Sequence, residues 1–267
     1  MGNQKRHLSQ FFTPEVVVQF MFDLVGFDPL WKVMDPACGD GAFLKEALKR
    51  GASVVAGMDI DPEAIEAAQE NLHKFGGRFR LLCQNGLMDI GCNSGFWKEH
   101  YDLVIGNPPF ASSKWRVRDK ETLRQFTLAQ IEDEKHTFQL PLLGESLRPV
   151  KTRESQVIEV LFLERFIQLA RPGGKVTIIL PEGIFANSNL RYAREWLVKN
   201  FTIHAVVGLP RQTFKDMGTT AKTAILYMEK HKPPESHQVL LAEVGQFDLN
   251  VGVNPELEAV VAAVRKR

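Results

Sequence analysis

The stretch WKVMDPACGDGAFLKEAL (Trp31–Leu48) decides the fold, because an apolar run, a glycine turn and an amphipathic segment follow one another directly. The apolar run predicts a β-strand and the amphipathic segment predicts a helix. Gly39 and Gly41 lie between them, where glycine lets a backbone approach a ligand closely at the carboxyl edge of a sheet. A tight turn without a ligand would use the same two glycines. The pattern is neither the dinucleotide-binding GxGxxG nor a P-loop, since only one GxG occurs and no GKS or GKT is present.

The next predicted strand, SVVAGMDI, ends in an acid and an apolar residue. Asp59 at the tip of a second strand is well placed to bind two hydroxyls of a ribose. Ile60 can lie flat against a base, while Asp61 and Pro62 are typical of a helix start. A glycine turn and a ribose-binding acid, without phosphate-binding residues, indicate a nucleoside ligand that lacks a pyrophosphate. S-adenosyl-L-methionine fits this description.

Predicted strands and helices alternate along most of the chain, which favours an α/β fold with a mostly parallel sheet flanked by helices. Two late segments, IHAVVGLP and TAILYMEK, are interpreted as a hairpin pair of strands, which adds a late antiparallel strand to the sheet, and VLLAEV is interpreted as an added edge strand. We divide the chain into a helical segment over 1–30, a main domain over 31–250 and a C-terminal helix over 251–267. The first helix is predicted over Glu15–Val25, with Thr13 as its N-cap and Pro14 in its first turn.

Composition excludes several classes of protein. The chain has 267 residues, 44% of them hydrophobic and 24% charged, and a formal net charge of +1. No apolar run reaches membrane-spanning length and no signal-peptide core is present, so we expect a cytoplasmic protein without a membrane partner. The three cysteines show no CxxC spacing and the seven histidines no HExxH, so no metal site is expected. A domain that holds DNA alone is usually more basic, so a partner is expected to supply much of any DNA affinity.

A fourth predicted strand, YDLV, runs into the sequence IGNPPF (Ile105–Phe110). Proline cannot donate to a sheet ladder, so the strand must stop here. The simplest interpretation is a strand-ending turn with a core phenylalanine. The sharper interpretation is that an amide and an aromatic ring are held stiffly at the carboxyl edge of the sheet.

Four motifs in this order, SQFFTPEVVVQFM, DPACGDGAFL, GMDIDPEA and DLVIGNPPF, resemble the amino-group DNA methyltransferases. The chain is most similar to the N6-adenine methylase domain of the modification subunit of type I restriction–modification systems. Later stretches, ILPEGIF, AVVGLPRQTF and GTTAKTAILYMEK, extend the likeness from about Ser9 to about Asn250. The resemblance implies a Rossmann-like methyltransferase fold with S-adenosyl-L-methionine as cofactor and double-stranded DNA as substrate. The target would be a flipped-out adenine, because a base inside a duplex cannot reach such a pocket.

The resemblance also assigns roles to individual residues. Those matched to cofactor binding fall into five groups: Gln10, Phe12 and Thr13 at the methionine end; Asp35, Ala37, Gly39 and Gly41 in the main loop; Asp59 on the ribose; Ile60 on the adenine ring; and Asn85 on the adenine amino group. Relatives often carry Asp at the position of Asn85, but an amide both donates and accepts. The residues matched to the catalytic clamp are Asn107, Pro108, Pro109 and Phe110.

The clamp would act on an amino nitrogen whose lone pair is delocalised into the ring. The side-chain oxygen of Asn107 and the carbonyl of Pro108 would accept its two N–H groups and localise that lone pair. Pro109 restricts Pro108 to extended conformations, and Phe110 would stack on the base. Cytosine C5 methylation would need a Pro-Cys pair, which the chain lacks. Cytosine N4 enzymes usually carry Ser in place of Asn107, so adenine is favoured.

The long connection over 111–155 contains the basic cluster KWRVRDK. Long connections in compact domains are commonly functional. It is either a solvated surface segment or a loop beside the nucleic acid, with Lys114, Arg116 and Arg118 on phosphates.

Two other functions remain open at this level. One is an Asn-Pro-Pro-aromatic methyltransferase that acts on protein glutamine or on guanine in RNA, although SQFFTP is a feature of the DNA enzymes. The other is a catalytically idle DNA-binding or assembly module. The chain departs from the subunit pattern in having no long helical segment before SQFFTP and no room for a target-recognition domain after the late strands. We therefore expect a specificity subunit, or a target-recognition domain missing from this chain, to supply sequence recognition, and weak or no methylation by this chain alone.

Overall fold

A computed structural model of the chain describes residues 13–88, 98–110, 116–132, 138–140, 145–147, 150–217, 221–245 and 254–266. Its helices are α1 (Glu15–Val25), α2 (Ala42–Lys49), α3 (Pro62–Leu72), α4 (Lys120–Leu123), α5 (Ile158–Leu169), α6 (Gly183–Ala186), α7 (Arg191–Asn200) and α8 (Pro255–Arg265). Its strands are β1 (Lys32–Asp35), β2 (Val54–Asp59), β3 (Phe79–Cys83), β4 (Tyr101–Gly106), β5 (Arg116–Val117), β6 (Gln130–Glu132), β7 (Phe138–Leu140), β8 (Glu145–Leu147), β9 (Val150–Thr152), β10 (Gln156–Val157), β11 (Ala170–Pro181), β12 (Thr202–Gly208), β13 (Thr223–Glu229) and β14 (Leu240–Glu243).

Eight of these strands form one sheet, in the order β3-β2-β1-β4-β11-β13-β12-β14. The pairs from β3 to β11 are parallel, and β13 is antiparallel to both of its neighbours. The sequence prediction of a mostly parallel sheet with a late antiparallel strand is thus confirmed. The two late strands do pair with each other, and β14 adds a parallel edge strand beside β12.

Each face of the sheet is covered by its own apolar cluster. Residues of α1, α2 and α8 pack on one face, and residues of α5 and α7 pack on the other. Successive side chains of a strand point to opposite faces, so each strand contributes to both clusters. In β1, for example, Val33 belongs to the first cluster and Met34 to the second. Helix α1 begins and ends where the sequence predicts, and Gly26 closes it with a left-handed φ of 61°. No helix of the described residues has the length and apolar character needed to cross a membrane.

The cap of α1 differs from the prediction. Pro14, not Thr13, is the N-cap residue, and its carbonyl accepts from Val17 N at 2.9 Å and Val18 N at 3.1 Å. The Thr13 hydroxyl makes no cap and instead accepts a hydrogen bond from Asn107. At the start of α3 the prediction is confirmed, because Asp61 Oδ1 accepts from Glu63 N at 2.9 Å and Pro62 opens the helix.

Much of the connection over 111–155 carries secondary structure. Besides α4, its described residues form the antiparallel pairs β6–β9 and β7–β8, and β5 pairs with β10 just beyond it. Leu123, Phe126 and Leu128 are buried against α5. The buried Glu164 carboxylate accepts from the backbone amides of Thr127 at 2.6 Å and Leu128 at 2.8 Å. This insert is therefore anchored on the helix layer of the sheet.

A polar cluster lies at the amino ends of the parallel strands. Glu229 pairs in register with Lys175 on one side and with Thr202 on the other. Its carboxylate lies 3.4 Å from His204 Nε2, 2.9 Å from His231 Nε2 and 3.4 Å from Lys175 Nζ. His204 and then His231 lower the pKa of Glu229 from its usual 4.5 to about 2 against the opposing effect of burial. The charged carboxylate therefore contributes to the free energy of unfolding.

We expect Glu229→Gln to lower the free energy of unfolding by roughly 2 kcal/mol at pH 7. Because the folded pKa lies below the unfolded one, this contribution is present above about pH 4.5 and is lost as the pH falls through about 2. Urea unfolding of both proteins at pH 7, 4.5 and 3 would measure the difference, which should shrink on acidification. The control is Glu195→Gln, which breaks an exposed pair with Arg191 and should cost less than about 0.5 kcal/mol. A difference that does not change with pH would contradict this account.

Candidate active site at the carboxyl edge of the sheet

Three adjacent parallel strands end at one edge of the sheet. Strand β2 ends at Asp59, β1 at Asp35 and β4 at Gly106. These strands lie side by side in the order β2-β1-β4, so the residues that follow their tips are brought together. In open α/β sheets, ligands bind at such an edge.

The glycine turn after β1 is fixed to the tip of β2. Gly39 and Gly41 have φ values of +53° and +82°, which side chains rarely adopt. Gly39 N donates to Asp59 Oδ2 at 2.9 Å, and Cys38 N donates to the Met58 carbonyl at 2.8 Å. A Cβ at Gly41 would also lie 3.3 Å from the Cβ of Ala68 on α3. The turn is therefore both left-handed and tightly held.

Asp59 and Ile60 present contrasting surfaces at this edge. The Asp59 side chain is almost buried, and its carboxylate accepts from Asp61 N at 3.0 Å as well as from Gly39 N. Burial raises the pKa of Asp59. Ile60, the next residue, is 57% exposed. The pair offers hydrogen-bond acceptors next to an open apolar face.

Asp35 connects the glycine turn to the tip of β4. Its side chain is 1% exposed, and Oδ1 accepts from Ala37 N at 3.0 Å. A Cβ at Gly106 would lie only 2.5 Å from that same oxygen. Burial raises the pKa of Asp35 well above its ordinary value. The bare backbone of Gly106 is thus a requirement for this carboxyl to lie where it does.

Asn85 lies in a turn behind the glycine loop. Its Oδ1 accepts from Leu87 N at 3.0 Å, and Gly86 approaches the Pro36 carbonyl so closely that no Cβ would fit. The buried Arg165 of α5 donates from Nη2 to the Leu87 carbonyl at 2.6 Å and to Gln125 Oε1 at 2.9 Å. One guanidinium therefore supports both this turn and the insert.

The clamp residues directly follow β4. Asn107 Nδ2 donates to Thr13 Oγ1 at 3.1 Å, whereas Asn107 Oδ1 is buried and has no hydrogen-bond partner within the described part of the chain. Phe110 is 5% exposed and meets the buried Phe214 edge-on, with ring centroids 6.4 Å apart. Buried polar atoms normally have partners, so the Asn107 oxygen retains an unused capacity to accept a hydrogen bond within the described part of the chain.

The structure brings most of the predicted residues to this edge. The predicted site residues that the structure describes at this edge are Thr13, Asp35, Ala37, Gly39, Gly41, Asp59, Ile60, Asn85, Asn107, Pro108, Pro109 and Phe110. Gln10, Phe12 and Lys114 lie outside the described residues. Arg116 and Arg118 are exposed at β5, and Arg116 donates to Ser155 Oγ at 2.8 Å. Across the described ranges, no group of three His, Cys, Asp or Glu side chains could hold a metal ion.

Sequence reasoning missed two contributors. Gly106 is part of the quoted strand, but only the position of the Asp35 carboxyl reveals why it is glycine. Phe214 lies in AVVGLPRQTF, which carried a resemblance but no role for this ring. Its contact with Phe110 joins segments far apart in the chain, so no local pattern could have indicated it.

We expect Gly106→Ala to lower the free energy of unfolding by about 1–3 kcal/mol, because the new methyl group must displace Asp35 or the β4 backbone. Chemical unfolding would measure this. The matched control is Gly183→Ala, where a Cβ meets nothing within 4 Å and should change stability by less than about 0.5 kcal/mol. Equal effects of the two substitutions would show that the Asp35 contact is not the constraint.

Comparison with known proteins places this geometry in a family. The chain is 23% identical over 237 residues to the methylase subunit of the type I restriction enzyme MjaIX from Methanocaldococcus jannaschii, a match that covers 84% of this chain and 38% of that protein. It is also 23% identical over 239 residues to the EcoEI methylase subunit of Escherichia coli, covering 84% of this chain and 43% of that protein. The chain therefore spans less than half the length of these curated relatives.

Among solved structures, the fold is similar to that of a Listeria monocytogenes protein assigned to the class I S-adenosylmethionine-dependent methyltransferases. The TM-score is 0.68 at 23% identity, and the match covers 96% of this chain and 71% of that one. The family model described as N-6 DNA Methylase matches residues 2–255. The chain therefore belongs to the N-6 DNA methylase family.

Proposed function

We propose that the chain transfers a methyl group from S-adenosyl-L-methionine to the N6 amino group of a flipped-out adenine in DNA. The observation that carries the proposal is the buried Oδ1 of Asn107, which follows β4 beside the glycine turn of β1 and has no hydrogen-bond partner among the residues that the structure describes. The family match favours DNA over protein glutamine or RNA guanine as the substrate.

The edge of the sheet fits a nucleoside cofactor. Asp59 has a nearly buried carboxylate that can accept from ribose hydroxyls in addition to the amides it already binds. The exposed Ile60 can cover one face of the cofactor's adenine, and the left-handed Gly39 and Gly41 leave room for a close approach to the backbone. When bound, the cofactor supplies an electrophilic methyl group on a sulfonium.

The clamp would prepare the acceptor nitrogen. Asn107 Oδ1 and the Pro108 carbonyl accept the two N–H groups of the adenine, so that the lone pair of N6 is localised towards the methyl group. Phe110, whose position is fixed by the edge of Phe214, holds one side of the base pocket. A bond forms from N6 to the methyl carbon as the carbon–sulfur bond breaks, and N6 then loses one proton to solvent. This is catalysis by orientation and electrostatics, without a covalent enzyme intermediate.

We assign recognition of the DNA to the insert over 111–155 and to a separate subunit or domain, in addition to the clamp. The exposed Arg118 lies on the insert that follows the clamp and is our first candidate for a phosphate contact. Arg116 is also exposed, although its guanidinium already donates to Ser155. Target sequence recognition comes from a specificity subunit or from a further domain. Both reported relatives are named as methylase subunits of type I restriction enzymes, which supports a role within an assembly.

Cofactor binding can be separated from base binding by calorimetric titration with S-adenosyl-L-methionine. We expect Asp59→Ala to weaken cofactor binding at least tenfold. The substitution removes the carboxylate that would accept from the ribose hydroxyls and that also accepts from the Gly39 amide. Asn107→Ala should bind the cofactor as the wild type does. Thermal unfolding of each variant controls for global damage.

Two outcomes of that titration would contradict the proposal. A folded wild-type chain that binds no cofactor would favour an assembly module. Loss of cofactor binding in Asn107→Ala would mean that the clamp and the cofactor site are not distinct.

The basic insert can be tested by the salt dependence of DNA binding. We expect Arg118→Ala to weaken binding to duplex DNA of any sequence and to reduce the slope of log K against log salt by about one. The control is Lys199→Ala, which removes an exposed cation near the end of α7 and should leave the slope unchanged. Fluorescence anisotropy over a range of salt concentrations would measure both. Identical slopes for the two variants would exclude Arg118 from the DNA interface.

A further inference from the structure

We infer that Thr13 is a positioning residue for the base clamp: its hydroxyl holds the Asn107 amide so that the oxygen, and not the nitrogen, faces the adenine amino group. The inference rests on the proposed function and deepens it. It differs from the role that the family resemblance assigns to Thr13, which is to hold the methionine end of the cofactor.

The contact that carries the inference joins residues 94 positions apart. Asn107 Nδ2 donates to Thr13 Oγ1 at 3.1 Å. The other end of the same amide, Oδ1, is buried without a partner among the described residues. The amide is thus held by its donor end, while its acceptor end is left for a ligand.

The orientation of the amide decides what the clamp can bind. The Thr13 hydroxyl oxygen acts as an acceptor here, so it holds the donor end of the Asn107 amide. If the amide were reversed, its NH₂ group would face the NH₂ group of adenine, and two donors would oppose each other. Only the observed orientation presents an acceptor to the base.

Thr13 is well suited to this task because a rigid element fixes it. Pro14 follows directly, and its carbonyl accepts from Val17 N and Val18 N in the first turn of α1. Val17 and Val18 are buried in the apolar cluster of that sheet face. The hydroxyl therefore has a defined position relative to β4, and an N-cap role does not compete for it.

The test compares recognition of the amino group in the full chain saturated with S-adenosylhomocysteine. The two probes are a short single-stranded oligodeoxyadenylate and the same oligomer with purine, which lacks the amino group, in place of adenine. We expect the wild type to bind the adenine oligomer about fivefold to tenfold more tightly by fluorescence anisotropy. Thr13→Val, which keeps the side-chain shape but loses the hydroxyl, should bring this ratio close to one, and Thr13→Ser should restore most of it.

A calorimetric titration with S-adenosylhomocysteine distinguishes the two roles of Thr13. The positioning role predicts that Thr13→Val keeps wild-type cofactor affinity, whereas a role in holding the cofactor predicts that affinity falls. If Thr13→Val does not fold, Thr13→Ala provides the same comparison with a smaller side chain.

Each remaining outcome overturns a specific claim. A Thr13→Val protein that keeps the wild-type ratio overturns the inference and leaves the proposed function intact. The inference is also overturned, with the proposed function intact, if Thr13→Val lowers the affinity for S-adenosylhomocysteine and Thr13→Ser does not restore the binding ratio. A wild-type chain that shows no preference for the amino group overturns the proposed function and the inference together.

Discussion

The Asp35 carboxyl occupies a place at the sheet edge that only a glycine on the neighbouring strand leaves open. It lies between the Ala37 amide of the glycine turn and the bare Gly106 backbone that leads into the clamp. Burial of a carboxyl among so few donors is costly, and the raised pKa of Asp35 reflects that cost. The benefit is geometric, because the glycine turn and the segment that follows β4 rest on opposite sides of one side chain. The relative position of these two segments is thereby built into the sheet.

The two faces of the sheet have different tasks. On one face, α1 and α2 pack together, and the segment just before α1 carries the hydroxyl that contacts the clamp. On the other face, α5 carries two adjacent buried charges, Glu164 and Arg165, that bind the insert and the turn after β3. The helices thus do more than cover apolar strands. They also fix the positions of the connecting loops, as a rigid scaffold does.

The sequence predicts features that depend on neighbouring residues better than features that depend on residues far apart in the chain. The bounds of α1, the cap of α3 and the reversed strand β13 follow from local patterns, and the structure confirms them. Thr13 was wrongly predicted as a helix cap, because a local rule could not anticipate a partner 94 residues away. The folded insert was expected only as a long connection, since its short strands lack the periodicity that reveals longer ones. The edge-on contact between Phe110 and Phe214 likewise joins segments that are distant in the sequence.

Arg165 links the positions of two segments that are distant in the sequence. Its single Nη2 nitrogen donates both to the Leu87 carbonyl, in the turn that contains Asn85, and to Gln125 in the insert. Because the guanidinium is planar and fully buried, it cannot follow one of these segments without disturbing the other. A ligand that moves either segment therefore alters the free energy of placing its counterpart. A displacement at either segment is thereby transmitted to the other through this one side chain.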